Sequence, residues 1–459
     1  MRIGETSFWW ASLGGAGGAD SRAPLPGPLE CDVAIIGAGY TGLWTAWYLK
    51  QADPSLHVVV LEREHAGFGA SGRNGGWLSG LLAGSRERWA ADFGRDAVIA
   101  AQREMFKTVD VVSDFCTEEG VDCDLVGSGQ LDVATSEPGL ARARALVAWQ
   151  RSWGFGDEDW RLLSRDEVTA RIGIPRARGG IFTPHCARVH PVKLVRGLAE
   201  AVERAGVVIY EHTPVAAIHS HARRPVVEIA PTGRRVQARW VVRATEGYTD
   251  ALARRRLFPM NSAMIVTEPV GDAVHWPGQE LLRETAHLYC YLQRTADGRV
   301  AIGGRGIPYR YGSRTDRNGE IAARTVTELR SRLTRLFPAL DGVRVDHGWA
   351  GVLGVARDWC PAVTADPATG IATAGGYVGD GVSTANLAGR TLRDLILGED
   401  TALTRAPWAR HVPPRWEPEP LRYVGIRSVY ALYRAADALE ERTHRPSRLA
   451  ALATRVSGR

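Results

Sequence analysis

The sequence lacks any uninterrupted apolar run near the roughly 18 residues that a membrane-spanning helix needs. Its first fifteen residues, MRIGETSFWWASLGG, contain an acidic residue, Glu5, and have neither the basic start nor the long apolar run of a secretory signal. These two absences predict a chain without a transmembrane segment and a cytoplasmic location.

Cysteine is also scarce and is not clustered. The six cysteines are scattered, with no CxxC pair and no spacing typical of a metal site. This distribution is typical of reduced, mostly buried thiols. We therefore expect no bound metal.

Lysine is almost missing, because only Lys50, Lys107 and Lys193 occur among 57 basic residues. Residues 401 to 459 carry eleven arginines and five acidic residues, which accounts for the whole net charge of +6. Basic charge confined to one end of the chain predicts a solvated tail and no nucleic-acid partner. One alternative of another class stays open: the basic, amphipathic tail binds an anionic surface.

The segment IIGAGYTGLWTAWYL carries the GxGxxG spacing of a dinucleotide-binding turn. It lies between a predicted strand over residues 32 to 36 and a predicted helix over residues 41 to 51, and a second strand follows over residues 57 to 61. Such a turn brings backbone close to a pyrophosphate at a helix N-terminus. The cofactor contacts predicted from it are Gly37, Ala38, Gly39, Tyr40, Thr41 and Gly42.

Glu62 stands at the end of the second strand, twenty residues after Gly42. A carboxylate at this distance binds a ribose 2′-hydroxyl in dinucleotide folds. We therefore include Glu62 and its neighbour Arg63 among the cofactor contacts.

The glycine-dense stretch GFGASGRNGG, residues 67 to 76, favours FAD over NAD. An extended dinucleotide with a ribityl arm needs backbone along its second half, and glycine permits that close approach. Ser71 and Asn74 can donate hydrogen bonds, and Arg73 can offset negative charge. The predicted contacts are Gly69, Ala70, Ser71, Gly72, Arg73, Asn74, Gly75 and Gly76.

A second glycine loop, GGYVGDGVSTANLAGR, follows a predicted strand over residues 371 to 374 and leads into a predicted helix. A helix N-terminus directed at a flavin would stabilise the negative charge of the reduced ring. The predicted contacts here are Gly379, Asp380, Gly381, Val382 and Ser383.

Together with the segment RVAIGGRG, these motifs resemble those of the FAD-dependent D-amino acid oxidase superfamily, most closely its branch of gamma-glutamylputrescine oxidase-like amine oxidases. The resemblance covers about residues 30 to 400. It implies an α/β (α+β) fold in which a Rossmann-like FAD-binding domain carries an inserted, mostly antiparallel substrate domain. It also implies that Val215 holds the adenine through its backbone.

The predicted domain boundaries follow from this resemblance and from the change in sequence pattern. An N-terminal arm covers residues 1 to 30, and a basic helical extension covers residues 401 to 459. The FAD-binding domain is assigned residues 30–90, 160–248 and 345–400, and the substrate domain is assigned residues 91–159 and 249–344.

The chain departs from relatives that attach their flavin covalently. It has Gly298 and Arg299 where some relatives carry a cysteine, and Arg73 where others carry a histidine. The resemblance therefore implies non-covalent FAD. Asp380 also departs from the pattern, and two roles stay open for it: it caps the following helix, or it attracts a cationic amine.

Five residues are candidates for the substrate site: Trp77, Tyr289, Tyr291, Arg305 and Trp349. The aromatic side chains would shape a cavity, and Arg305 would bind an anionic substrate group. No catalytic triad or pair of carboxylates is identified, because hydride transfer from an amine needs no obligatory protein base. His185 and His190 are weaker candidates for a catalytic role.

The predicted function is oxidation of a C–N bond in a small amine or amino acid, with hydride transfer to the flavin, hydrolysis of the imine and reoxidation by oxygen to give hydrogen peroxide. The sarcosine-oxidase-like relatives place a lysine over the flavin for the oxygen reaction, and no lysine follows Lys193. A dehydrogenase of the same fold, with another electron acceptor or a hydroxy-acid substrate, therefore remains an alternative.

Overall fold

The protein is described from a computed structural model. The structure describes residues 1–4, 6–15, 22–220, 224–253, 255–304, 309–315 and 318–457.

The strands are, in chain order, β1 (Arg2–Ile3), β2 (Leu29–Ile36), β3 (Val58–Leu61), β4 (Trp77–Ser79), β5 (Gln130–Ala134), β6 (Arg161–Leu163), β7 (Gly179–Thr183), β8 (Cys186–Arg188), β9 (Val208–Tyr210), β10 (Val215–His219), β11 (Val226–Ile229), β12 (Arg234–Arg243), β13 (Phe258–Thr267), β14 (Leu281–Glu284), β15 (Cys290–Arg294), β16 (Val300–Gly304), β17 (Val345–Val355), β18 (Ala362–Asp366) and β19 (Ile371–Gly375).

The α-helices are α1 (Phe8–Ala11), α2 (Tyr40–Ala52), α3 (Arg86–Phe93), α4 (Arg95–Glu118), α5 (Glu137–Ser152), α6 (Arg165–Arg171), α7 (Pro191–Arg204), α8 (Ala323–Leu336), α9 (Gly381–Leu397), α10 (Pro407–Arg410), α11 (Leu421–Thr443) and α12 (Arg448–Ser457).

The smaller of the two large sheets forms the nucleotide-binding layer. Strands β9, β3, β2 and β12 lie side by side and are parallel, and β12 also pairs with parallel β19. Strands β10, β11 and β18 join this sheet through antiparallel pairs. The predicted β2–α2–β3 unit is confirmed, as is the late strand–loop–helix of β19 and α9.

Strand β3, whose four residues are all buried, has the continuous apolar character of a strand covered on both faces. Helices α2, α7 and α9 cover this sheet through one apolar core. The α/β class predicted from the sequence is correct, and the second, mostly antiparallel sheet is also present.

The larger sheet has nine described strands in the order β1-β17-β13-β16-β15-β14-β5-β7-β6. Its pairing differs from the predicted boundaries, because β6, β7 and β17 lie in residue ranges that were assigned to the nucleotide-binding domain. Pairing with distant strands decides which sheet a strand joins, and β7 pairs with β5 while β17 pairs with β13. The chain therefore crosses between the two layers more often than the sequence pattern indicates.

The first residues are integrated into the fold. Strand β1 adds to the edge of the large sheet beside β17, and helix α1 buries Phe8, Trp9 and Trp10. The indole nitrogen of Trp9 donates to the carbonyl of Asn74 (2.8 Å) inside the glycine-dense loop. The N-terminal segment thus supports that loop.

The C-terminal extension packs against the large sheet. Ile426, Tyr430 and Tyr433 of α11 are buried in one apolar cluster with Phe258 and Val355. The guanidinium of Arg142 and the ring of His287 both contact the carboxylate of Glu440 on the same helix. One side of α11 is therefore buried against the large sheet, and only the opposite side of this helix could contact an anionic surface.

Across the described part of the chain, no helix combines the length and the apolar character needed to span a bilayer.

Candidate active site

The turn between β2 and α2 brings three glycines into close packing. Gly37 has a positive φ of 104°, which favours glycine, and a Cβ at Gly42 would lie 2.0 Å from the carbonyl oxygen of Gly37. Gly37, Gly39, Tyr40 and Thr41 line a cleft of about 260 Å³ beside the N-terminus of α2. Gly42 instead lets the helix pack on the strand, so the turn has the geometry that a pyrophosphate requires.

Glu62 is held at the end of β3 by backbone groups. Its carboxylate accepts from the N–H of Ala38 (2.8 Å) and of Glu64 (2.9 Å), and burial raises its pKa. Glu62 and Arg63 both line the cleft, and the N–H of Ala38 helps to orient the Glu62 carboxylate there. The carboxylate is therefore fixed in orientation before any ligand binds.

The polar side chains of the glycine-dense loop bind the loop itself. Ser71 Oγ accepts from the N–H of Tyr40 (2.9 Å), which ties the loop to the start of α2. Asn74 donates to the carbonyls of Ala70 (3.2 Å) and Ser71 (2.8 Å) and accepts from the N–H of Gly76 (2.8 Å). These two side chains were expected to donate to the cofactor, and they mainly fix the loop that lines the cleft.

The glycines of this loop are required by close protein contacts. A Cβ at Gly72 would lie 2.3 Å from the carbonyl oxygen of Gly67, and one at Gly76 would lie 2.1 Å from Nε2 of Gln293. Gly75 is pressed against the ring of Tyr291, which a Cβ there would meet at 2.7 Å. Gly69 and Ala70 line the cleft, so only part of the stretch faces it.

Arg73 is buried where the loop meets the large sheet, with 2% of its surface exposed. Its Nε donates to the carbonyl of Phe68 (2.8 Å), and the guanidinium lies 4.4 Å from the centre of the Phe68 ring. The carbonyl of Arg73 accepts from the indole nitrogen of Trp349 (2.9 Å). Arg73 is thus fixed at the wall of a second cavity.

The second cavity, about 420 Å³, is lined by strands of the large sheet, by β4 and by the loop before α9. It shares several lining residues with the nucleotide cleft, namely Ala70, Asn74, Leu353, Gly379 and Val382. The cleft and the cavity are therefore continuous. We call the second cavity the inner cavity.

The loop before α9 stands at the junction of these two spaces. Gly381 lines the cleft, while Gly379 and Val382 line both spaces. Ser383 is fully buried, and its hydroxyl donates to the carbonyl of Ser79, so it joins α9 to β4.

Asp380 occupies the N-cap position of α9, but its side chain accepts no hydrogen bond from the helix. The carboxylate lines the inner cavity. Burial raises the pKa of Asp380 to about 7, and the nearby Arg283 opposes that rise. Of the two roles left open by the sequence, capping by the side chain is not the one observed.

Arg283 was not identified from the sequence, although it lines the inner cavity. Its guanidinium forms a two-point ion pair with Asp132, with Nε lying 3.0 Å from Oδ1. Asp132 also accepts from the side chain of Gln130 (2.8 Å). The pair joins β14 to β5, and it could have been found from the sequence only by knowing that these strands are neighbours.

Three of the candidate aromatic residues line the inner cavity: Trp77, Tyr289 and Tyr291. The hydroxyls of Tyr291 and Ser262 are 3.1 Å apart, and the rings of Trp77 and Tyr291 meet edge to face. Trp349 differs from the expectation, because it is fully buried behind Arg73 and packs on Phe8 and Trp9. Arg305 lies outside the described residues.

Glu246 is a second site residue that the sequence analysis missed. It follows β12, lines the cleft and accepts from the N–H of Gly376 (2.9 Å) and Tyr377 (3.3 Å). Burial raises its pKa to about 7, and the backbone N–H groups oppose this rise. Its carboxylate thus holds the start of the β19–α9 loop. A lone acid after a strand offers no signal for this role.

The remaining candidates from the sequence are Val215, His185 and His190. Val215 begins β10 and lines the cleft. The ring of His185 stacks on Phe106 with its Nε2 2.8 Å from Asp159, and His190 caps α7 by accepting from the N–H of Lys193 (3.2 Å). Neither histidine lines the cleft or the inner cavity.

Two groups of residues have the composition of metal ligands: Asp358, Cys360 and His411, and His287, Asp437 and Glu440. Both groups contain internal hydrogen bonds between the histidine and a carboxylate, at 2.7 and 3.0 Å. Arginines also contact them, Arg88 at Asp358 and Arg142 at Glu440. Positive charge at these carboxylates opposes the binding of a cation.

A GxGxxG cleft that continues into a second cavity can hold a dinucleotide beside a small molecule. Residues 32–395 match the family model DAO, described as FAD dependent oxidoreductase, so the chain belongs to this family of FAD-dependent enzymes that includes amine and amino-acid oxidases. The cleft fits FAD, because it offers a close-packed glycine turn, an anchored carboxylate and a continuation along the glycine-dense loop.

Individual relatives have related names. The chain is 29% identical to gamma-glutamylputrescine oxidoreductase from Escherichia coli, over 84% of this chain and 88% of that protein. It is 28% identical to the probable oxidoreductase OrdL from Haemophilus influenzae, over 83% and 86%. The crystal structure of glycine oxidase from Geobacillus kaustophilus superposes with a TM-score of 0.69 at 22% identity, covering 84% of this chain and all of that one.

Proposed function

We propose that this enzyme oxidises the C–N bond of a small amine or amino acid held in the inner cavity, with non-covalently bound FAD. The observation that carries the proposal is the continuity of the nucleotide cleft with the inner cavity at Gly379 and Val382. The names of the relatives, which refer to gamma-glutamylputrescine and glycine, support nitrogen-containing substrates.

The cofactor would be held mainly by backbone. The turn of Gly37 to Thr41 and the N-terminus of α2 would bind the pyrophosphate, and Glu62 would bind a ribose hydroxyl. Val215 would contact the adenine, and the N-terminus of α9 would face the flavin ring.

When bound, FAD would supply a two-electron acceptor for the α-hydrogen and its electron pair, and those electrons would go on to oxygen, giving hydrogen peroxide, or to another acceptor. The chain's own residues orient the substrate. Trp77, Tyr289 and Tyr291 would form the aromatic walls of the substrate site. The imine product is hydrolysed to a carbonyl compound and ammonia or a smaller amine.

The alternative of a dehydrogenase with another electron acceptor is favoured by one observation, the absence of any lysine after Lys193. The relatives that place a lysine over the flavin use it to promote the oxygen reaction. The anaerobic mixing test described next distinguishes an oxidase from a dehydrogenase.

The test is anaerobic mixing of the FAD-loaded protein with amines, amino acids and hydroxy acids, followed by admission of air. We expect an amine or amino acid to bleach the flavin band, and the rate at which colour returns measures the reaction with oxygen. Bleaching by hydroxy acids alone would contradict the proposed C–N oxidation.

A further inference from the structure

We propose that Asp380 binds the ammonium group of the substrate and takes up its proton, which leaves the neutral amine to be oxidised. This inference rests on the proposed function and assigns one residue of the inner cavity to the step that precedes oxidation.

The carboxylate of Asp380 is the unsatisfied acid of the inner cavity. Both backbone polar groups of Asp380 are hydrogen-bonded. The N–H donates to the carbonyl of Tyr377 (3.0 Å), and the carbonyl accepts from the N–H (3.3 Å) and the hydroxyl (2.7 Å) of Thr384. The side chain of Asp380 accepts no hydrogen bond from any residue that the structure describes. The carboxylate therefore faces the cavity without a partner.

The other acids that line the cavity already have partners. Asp358 pairs with His411 (2.7 Å) and accepts from the N–H of Cys360 (3.2 Å). Glu87 accepts from the indole nitrogen of Trp149 (2.7 Å). Among the described acids that line the cavity, Asp380 is the one whose carboxylate has no hydrogen-bond donor.

The nearest positive charge does not neutralise Asp380, because it is engaged elsewhere. Arg283 forms its two-point ion pair with Asp132. Because the guanidinium is already paired, it acts on the carboxylate of Asp380 only by a weaker electrostatic attraction. An ammonium group would bring both a charge and N–H donors to Asp380. A buried carboxylate gains most from a partner that supplies both.

The position of Asp380 also suits a role next to the reacting carbon. Its neighbours Gly379 and Val382 line both the cleft and the inner cavity, so the carboxylate stands where the two spaces join. A substrate nitrogen at this carboxylate lies at the entrance to the nucleotide cleft.

The proton transfer is balanced as an acid–base step. The ammonium nitrogen gives one proton to a carboxylate oxygen, which yields a carboxylic acid and a neutral amine, and no electron is lost by either group. The freed lone pair on nitrogen can then form the C=N bond as the α-hydrogen leaves with its electron pair. A carboxyl group whose pKa is raised to about 7 accepts such a proton more readily than an exposed aspartate does.

Glu246 also has a pKa raised to about 7, but it lines the nucleotide cleft and not the inner cavity. Arg283, Tyr291 and Cys186 do not titrate near neutrality. Arg283 stays charged beside Asp132, burial raises the pKa of Tyr291 to about 12, and burial raises the pKa of the Cys186 thiol well above its usual value. Asp380 is therefore the group expected to exchange a proton in this part of the cavity.

The first test measures binding without turnover. The FAD-loaded protein is titrated at pH 8 with tert-butylammonium and with 2-aminoisobutyrate, which have no α-hydrogen, and binding is followed by the change in the flavin spectrum. We expect Asp380→Asn to weaken the tighter of the two by about 10- to 100-fold, the value of a charge-assisted hydrogen bond. Neutral tert-butanol should bind the wild type and the variant equally.

The control variant is Glu87→Gln, which removes an equal charge from the wall of the same cavity. It should change ammonium binding by no more than about twofold, because exposed charges are screened. Equal affinity of Asp380→Asn and wild type for both ammonium ligands would overturn the proposal. Failure of the wild type to bind either ligand would also overturn it.

The second test addresses the proton. With an oxidisable amine, anaerobic bleaching by the wild type should level off above about pH 7, whereas bleaching by Asp380→Asn should rise with pH up to the amine's own pKa. Parallel pH profiles would leave Asp380 without a role in proton uptake. If no amine bleaches the wild-type flavin, the proposed function fails, while the binding result still decides whether Asp380 holds an ammonium group.

Discussion

The indole nitrogen of Trp349 donates a hydrogen bond of 2.9 Å to the carbonyl oxygen of Arg73, joining strand β17 to the glycine-dense loop. Both residues are buried, so the carbonyl has no access to water if the donor is removed. This bond fixes the loop between the nucleotide cleft and the inner cavity. It connects the large sheet directly to the predicted cofactor site.

Replacing Trp349 by Phe should lower the free energy of unfolding beyond the effect of the smaller ring. Leaving a buried carbonyl without its donor costs about 1 to 3 kcal/mol. The matched control is Trp89→Phe, because Trp89 is equally buried and its indole nitrogen has no hydrogen-bond partner among the described residues. Denaturant unfolding should give the larger loss for Trp349→Phe, and equal losses would contradict this assignment.

Replacing Gly42 by Ala should impair both folding and FAD binding. The added Cβ would meet the carbonyl oxygen of Gly37 at 2.0 Å, and relieving that clash should cost about 3 kcal/mol. Gly425→Ala is the control, because Gly425 lies in helix α11 and an added Cβ there would have no atom within 4 Å. That change should stabilise the protein by up to about 1 kcal/mol. Flavin absorbance per mole of protein reports the cofactor content of each variant.

Acid precipitation should release FAD into solution. The chain has Arg73 where a histidine would form a covalent bond, and Arg73 is bound to the carbonyl of Phe68 and covers the Phe68 ring. We expect a yellow supernatant and a colourless pellet. A pellet that keeps its flavin absorbance after washing would show a covalent bond and would contradict this prediction.

The contribution of Glu246 and Asp380 to the stability of the FAD-loaded protein should fall as pH rises from about 5 to 8. His65 and His190, whose pKa values burial lowers, contribute the opposite trend below about pH 6.5. Glu246 and Asp380 each have a pKa raised to about 7 by burial, so in this range the folded state holds protons that the unfolded state has released. Raising the pH then lowers the contribution of these two carboxyl groups to the free energy of unfolding, by at most about 1.4 kcal/mol per pH unit for each group.

Asp380→Asn should reduce this pH dependence, because an amide does not ionise. Asp366→Asn is the control: Asp366 is the exposed last residue of β18 and has a lowered pKa, so its loss should change the unfolding free energy equally at pH 5.5 and 8. Urea unfolding at the two pH values, with FAD in excess, measures the difference. An unchanged slope in Asp380→Asn would contradict the raised pKa.

The nucleotide-binding unit could be predicted because its information is local. Gly37, Gly39 and Gly42 follow a strand directly, and Glu62 ends the next strand of the same βαβ unit. Gly42 is required by its contact with Gly37, and Glu62 is held by the N–H of Ala38, so these two residues have partners nearby in the sequence. For the same reason the start of α9 and the position of Asp380 before it could be located.

The inner cavity could be predicted only in part, because its walls come from distant segments. Arg283 and Asp132 are 151 positions apart, and Glu246 contacts a loop 130 positions later. Residue type alone also does not tell a cavity wall from a core position. Trp77 and Tyr291 face the cavity, whereas Trp349, from the same predicted set, is buried behind it.

The central claim is that the enzyme removes hydrogen from a carbon bound to nitrogen. The most direct measurement is product analysis after one anaerobic turnover with the amine or amino acid that bleaches the flavin fastest. The account predicts one carbonyl compound and one ammonia or smaller amine for each FAD that is bleached. Bleaching without release of a nitrogen product would contradict it.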